Sequence, residues 1–281
     1  MDEYKFDSSI YDYIEEPKTD SYYKHQDWDM AIGLQEVDNL KPSKYFEELV
    51  DENSVGNLSL SDVKNKLKEY YSEKAKSNEI DKNEFECDFV STRIVELLNM
   101  NKFELSVDYL KFVHKYLFQD VYEFAGKFRT VNFSKREKIL NHNSVAYGDY
   151  KTLTESLEYD IEQEKNKDYS GSIIRLIEGI TDFTSRIWQV HPFREGNTRT
   201  TAVFIEKYLI SLGYNVDNTM FKNKSIYFRN ALVRSNYFNN DLNIKEDNKY
   251  LIKFYENLLL HKNNNLHSKD LIVDELFKKK D

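Results

Sequence analysis

Between residues 191 and 199 the chain reads His-Pro-Phe-Arg-Glu-Gly-Asn-Thr-Arg, which puts an imidazole, a carboxylate, a glycine and two guanidiniums in one short run. A histidine titrates near neutrality, so His191 can take a proton from a hydroxyl nucleophile. Glu195 suits a hard cation such as Mg²⁺, which uses one or two protein carboxylates and completes its shell on phosphate oxygens. The Gly196-Asn197 step is where a helix would open, and the free N–H groups and macrodipole of such an end attract anions. Arginine is out of place in a first helical turn unless an anion lies beside it, and the fork of Arg199 matches phosphate. Base, metal carboxylate and phosphate cradle together point to phosphoryl or nucleotidyl transfer.

Two helices must hold this loop out. Upstream, Ile173, Leu176, Ile177, Ile180, Phe183, Ile187 and Val190 recur at helical spacing. Pro192 should stop that helix at about His191, because a residue preceding proline avoids the α region. Downstream, Ala202, Val203, Phe204, Ile205, Tyr208, Leu209, Ile210 and Leu212 are apolar almost all round and end at Gly213. That pattern predicts a buried helix with a glycine C-cap.

The string His191-Pro192-Phe193-x-Glu195-Gly196-Asn197-x-Arg199 resembles the signature of Fic-domain proteins, and Tyr122-Glu-Phe-Ala-Gly126-Lys-Phe-Arg129 is similar to a second stretch typical of them. The resemblance implies an all-α Fic-type core with a short β-hairpin flap over the active-site loop. It also implies a protein adenylyltransferase that moves AMP from ATP, with Mg²⁺, onto a Tyr, Thr or Ser hydroxyl of a target protein. Carried over by position, His191 is the catalytic base, Glu195 holds the metal, and Gly196, Asn197 and Arg199 bind phosphates, with Thr198 in the same cradle. By spacing from the motif, Tyr227 and Asn236 fall near the family's adenine-contacting tyrosine and asparagine, with ordinary core packing an equal alternative for Tyr227. Lys138, Ile139 and Leu140 are the candidates for the flap edge, where a target would register by strand addition. Self-modification and a homodimer are compatible with this reading.

Two departures bear on activity. The family pattern continues Gly-Asn-Gly-Arg-x-x-Arg, whereas Thr198 and Ala202 stand here for the second glycine and the second arginine. In the family that arginine holds the terminal phosphates of ATP and partners an inhibitory glutamate, so nucleotide is expected to bind more weakly or in a different pose. A Doc-like protein kinase or other phosphate-group transferase on the same fold is therefore an alternative. So is a non-catalytic nucleotide-binding module, with Ala202 as the mark of decay. The family's inhibitory Ser/Thr-x-x-x-Glu-Gly/Asn motif is not intact, and Leu34-Gln35-Glu36-Val37-Asp38-Asn39 takes its place. The expectation is an enzyme that its own N-terminal segment does not hold off.

Composition narrows the rest. Forty basic against forty-nine acidic residues give a net charge of -9 without a long basic stripe, which argues against nucleic-acid binding by counterion release. One cysteine, Cys87, excludes an internal disulfide framework and fits a reducing cytoplasm. No apolar run reaches membrane-spanning length, and Met1-Asp2-Glu3 lacks the basic and apolar regions of a signal peptide. Residues 1–27 read as a tyrosine-rich arm, and its tyrosines are candidate self-modification targets. Residues 28–80 read as a small helical segment resembling the regulatory part of Fic proteins, 81–260 as the Fic core, and 261–281 as a frayed charged tail. Within these, Ser43, Ser59 or Ser61, and Ser106 or Asp108 are expected N-caps, 72–83 a charged linker, Ser225 the cap of a helix over Ile226 to Phe238, and His114 a satisfied core histidine.

Overall fold

The computed structural model describes residues 21–278. Its elements are α1 Ser21–Gly33, α2 Lys44–Ser54, α3 Leu60–Ser77, α4 Lys82–Leu98, α5 Val107–Phe118, α6 Leu153–Lys165, α7 Ile173–Val190, α8 Asn197–Ser211, α9 Thr219–Ser235 and α10 Lys249–Leu260. Among the described residues the only β pairing is one bridge, between Asn239 and Ile244. The all-α expectation holds.

Ser43 forms the expected cap, and of the alternatives at the next two sites Ser59 and Ser106 form it. Ser43 accepts from the amide of Phe46, Ser106 from that of Tyr109, and Ser59 closes a capping box with Asp62. Each satisfies a donor that a helix start leaves unpaired, worth about 1 kcal/mol apiece. α7 is capped by Ser172 and turns its apolar stripe inward, with Leu176, Ile180, Phe183 and Ile187 buried. α8 is buried from Asn197 to Leu209, polar residues included, and packs against α4, α5 and α7. It is the central post of the molecule, as its all-round apolar pattern requires.

Five expectations change. Residues 1–20, with the arm's tyrosines, lie outside the described residues, but the arm's last residues belong to α1. That helix buries Trp28, Met30 and Ala31 against α9 and α4, so the N-terminal segment shares one core with the rest. The charged stretch 72–83 is mostly helix: α3 runs to Ser77, and the break is short, entered through Asn78 in the left-handed region. Its charges are a solvated helix face, not a linker. Ser225 lies inside α9, fully buried, because the helix starts six residues earlier at Thr219. The C-terminal tail docks, burying Leu266, Leu271 and Val273.

The predicted hairpin between α5 and α6 carries no strand. Residues 137–143 close as a hairpin-shaped loop through Glu137 N–H to Asn143 O (3.0 Å) and His142 N–H to Glu137 O (2.9 Å), around a 3₁₀ turn at Lys138–Leu140. Ile139 and Leu140 point into the core, and Val273 of the tail donates to the Ile139 carbonyl at 3.1 Å. The chain's own C-terminal segment therefore occupies the edge that was expected to receive a target. The neighbouring stretch with Val131, Asn132 and Ser134 is the exposed one.

Candidate active site

The loop between α7 and α8 is braced from four directions. His191 ends α7 in the left-handed region, with φ 49° and ψ 57°, a conformation a β-carbon-bearing residue adopts only under constraint. Arg129 supplies much of that constraint. Its Nε donates to the His191 carbonyl at 2.8 Å, its Nη2 to those of Gly148 and Val190, and its Nη1 to Val131 and Asn132, while its own N–H donates to Pro192 O. One buried guanidinium thus ties the strap 131–148 to the motif loop. Asn197 closes the loop on itself, accepting from Phe193 N–H at 2.9 Å and donating to Phe193 O at 2.8 Å. Gly196 sits at φ 76°, and a β-carbon there would lie 2.4 Å from the buried ring of Phe118, so both backbone and space demand glycine.

His114 is the fourth brace. Its Nδ1 accepts the Gly126 N–H at 2.8 Å, which leaves Nε2–H to donate to the Glu195 carbonyl at 3.0 Å. The ring stacks on Phe193 at 3.8 Å. Burial pushes its pKa down to about 4. It is a satisfied core histidine, as expected, and it also positions the loop.

His191 is different. It is 2 % exposed, and its Nδ1 lies 3.1 Å from the Trp188 carbonyl, which assigns the proton to Nδ1. Burial holds the imidazole well below the usual histidine range, and the cations Lys135, Arg229 and Arg129 push the same way. The neutral ring therefore keeps a lone pair on Nε2, which is buried with no partner among the described residues. Buried polar atoms are mostly satisfied, and this one is an unshared lone pair on a residue of the motif loop, free to take a proton. It borders a cavity of about 30 Å³ whose wall includes Asp38, Lys135, Thr198 and Arg229, with Tyr147 covering the ring at 4.2 Å.

The α8 N-terminus forms part of the same wall through Gly196, Asn197 and Thr198. Thr198 Oγ1 accepts from the Trp188 indole at 3.0 Å and can still donate its own proton. The Glu195 carboxylate is about half exposed and pairs with Lys135 at 3.2 Å. Among the described residues no three His, Cys, Asp or Glu side chains group as a metal cage. One accessible carboxylate beside a helix N-terminus fits a cation that brings most of its ligands with a nucleotide. An orphaned Nε2, a glycine-opened helix end and that carboxylate supply the donor chemistry a metal–nucleotide complex needs; the cavity itself has the volume of about one water, so a nucleotide must widen it.

Arg199 overturns part of the expectation. The anion beside it belongs to the protein: Nη2 meets Glu86 at 2.8 Å and Asp38 at 2.9 Å, Nη1 donates to Gln35 at 2.8 Å, and the guanidinium lies over Phe118. The residue is 1 % exposed and does not line the cavity. Gln35 and Asp38 come from the 3₁₀ turn Leu34–Asp38 that follows α1, the segment that stands in the place of the inhibitory motif. It touches the motif through an aspartate and a glutamine at Arg199.

Tyr227 and Asn236 do not reach the cavity. The Tyr227 hydroxyl donates to Tyr250 O at 3.2 Å between α9 and α10, and Asn236 donates to Ser185 and Leu232 carbonyls behind α7. Sequence reasoning missed Lys135, Tyr147 and Arg229, which lie at the site from far along the chain. No spacing in the sequence marks them.

Comparison with known proteins is consistent with this geometry. A sequence model described as the Fic/DOC family matches residues 104–209. A protein named probable protein adenylyltransferase y4lH, from Sinorhizobium fredii, is 31 % identical over 176 residues, spanning 59 % of this chain and 80 % of that protein. Protein adenylyltransferase VbhT of Bartonella schoenbuchensis is 32 % identical over 148 residues, but these make up only 28 % of its length. The N-terminal Fic domain of a Bartonella effector protein from Bartonella sp. AR 15-3 superposes with a TM-score of 0.51 at 19 % identity, over 63 % of this chain and 81 % of that one, a likeness of fold.

Proposed function

Because this chain belongs to the Fic/DOC family, we propose that it is a protein adenylyltransferase that moves AMP from ATP to a hydroxyl side chain of a target protein. The observation that carries the reading is the neutral, buried His191, whose unpaired Nε2 faces a cavity walled by a helix N-terminus. Nε2 takes the proton of the target hydroxyl as that oxygen attacks the α-phosphorus. The new O–P bond forms, the bond to the bridging oxygen breaks, and pyrophosphate leaves. The amides opening α8 at Asn197 and Thr198 meet the developing negative charge, a preorganised arrangement that costs no reorganisation at the moment of reaction. Glu195 would hold Mg²⁺, which neutralises phosphate charge when bound. Lys135 must release Glu195 for that, and a pair this exposed, worth at most about 1 kcal/mol, exchanges readily.

The target is read here as an extended segment running along the exposed residues Val131, Asn132 and Ser134, whose neighbour Phe133 lies 5.7 Å from the His191 ring. Incubation with ATP and Mg²⁺ followed by mass spectrometry tests the proposal, self-modification included. Label from the α-position should appear on protein, and His191→Ala should abolish it while leaving the melting temperature intact. Transfer of label from the γ-position instead would make the protein a kinase, the outcome that Thr198 and Ala202 favour.

A further inference from the structure

The cavity at His191 is fed by two cations that the motif does not contain. Lys135 comes from the strap between α5 and α6, and Arg229 from the middle of α9. Arg229 is held by a fork on Glu137, with contacts of 2.7 and 3.1 Å, and remains a quarter exposed. Glu137 is buried, so it aims the guanidinium without letting it leave. Lys135 has an accessible partner, Glu195, and a flexible stem, so its ammonium can turn from carboxylate to phosphate.

Arg199 is placed oppositely. Its Nη donors are taken by Gln35, Glu86 and Asp38, and Tyr122 stands 3.5 Å off. Turning it toward the cavity would strand the Oε1 of the fully buried Gln35 and leave the partly buried Glu86 with Tyr122 alone. Asp38 also borders the cavity and opposes an anion there, but it is 38 % exposed and can turn to water. At position 202, one turn further along α8, a buried alanine offers no charge.

We infer that Lys135 and Arg229 are the side chains that bind the phosphates of the incoming nucleotide, while Arg199 is a structural tie between α8 and the N-terminal segment. The assignment rests on the nucleotide-transfer reading above, and it says how the site manages without an arginine at 202. Each charge-assisted contact to phosphate should contribute roughly ten- to hundredfold in affinity.

Titration calorimetry on the full chain tests this with two probes, Mg²⁺–ATP and inorganic tripolyphosphate, the second blind to the adenine pocket. Lys135→Met should weaken both by tenfold or more. So should Arg229→Gln paired with Glu137→Gln, which leaves no buried carboxylate alone, and Arg229→Lys should restore part of the loss. Arg199→Lys should melt earlier yet bind both probes within about threefold of the parent, since it removes no phosphate contact. Normal binding by the Lys135 and Arg229 variants, or a tenfold loss in Arg199→Lys, overturns the assignment. If the parent transfers AMP while those variants bind normally, the assignment falls and the transferase reading stands. If tripolyphosphate binding follows the two cations but no AMP is transferred, the reverse holds. A parent that binds neither probe removes both.

Discussion

Replacing His114 with phenylalanine should destabilise the protein and, through the same contacts, disable it. The substitution keeps a flat ring in a site where the imidazole stacks on Phe193 at 3.8 Å, so shape and packing change little. What it removes is a donor to Glu195 O and an acceptor for Gly126 N–H, both buried contacts at 3.0 and 2.8 Å. An unsatisfied buried group costs about 1–3 kcal/mol, so the loss at neutral pH should be about 2–5 kcal/mol. The wild type carries a pH signature that the variant lacks. The folded His114 has its pKa lowered to about 4, against 6.5 when unfolded, so the unfolded chain takes up the proton first as pH falls. Its contribution to stability is whole above about pH 6.5 and is lost as pH drops toward 4, with an upper bound of about 3 kcal/mol at 1.36 kcal/mol per pKa unit. His191, also depressed, adds to the slope of both proteins alike. Urea unfolding at pH 7.5 and pH 5.0 is the assay. The gap between wild type and His114→Phe should shrink by about 2 kcal/mol at the lower pH. A gap that stays constant would refute the assigned protonation state, and a variant as stable as its parent would refute the brace itself.

Three further outcomes follow from the site. Gly196→Ala should cost about 2–4 kcal/mol and abolish transfer, from positive φ and the clash with Phe118 together, whereas Gly171→Ala, at φ 74° with open space around it, should cost about 1 kcal/mol; equal losses in thermal melts would dismiss the clash. Arg129→Met should remove transfer and several kcal/mol of stability, and Arg129→Lys should rescue neither, because a point charge cannot serve the carbonyls of Gly148, Val190, Val131 and His191 at once. Asp38→Asn should tighten triphosphate binding roughly fivefold by removing an opposing charge from the cavity wall, with little change in melting since Arg199 keeps Glu86 and Gln35; unchanged or weaker binding in calorimetry would count against it.

Much of this molecule is legible from local pattern. Helical periodicity around Ile173–Val190, serine caps at 43, 59 and 106, and the all-round apolar run after Ala202 announce the elements, because caps and amphipathic faces are written within a few residues. The nine-residue motif announces its chemistry for the same reason: base, carboxylate and glycine step all lie on one loop. The hairpin failed where alternation at Val131 and Phe133 was too short to outweigh the pull of the core on Ile139 and Leu140. The tail at 261–278 failed because charge masked three apolar anchors.

By itself, then, the sequence determined where the helices run, that His191 stands at the mouth of α8, and that the helix opens at the Gly196-Asn197 step. Tertiary structure alone decided which charges meet there. Arg199 is spoken for by Asp38 and Glu86, and the cations at the cavity, Lys135 and Arg229, arrive from 64 residues before and 30 residues after it. Hydrogen bonding along a helix reaches four residues, whereas Coulomb attraction in a buried site joins whatever the packing brings within a few ångströms, and no spacing in the chain records it.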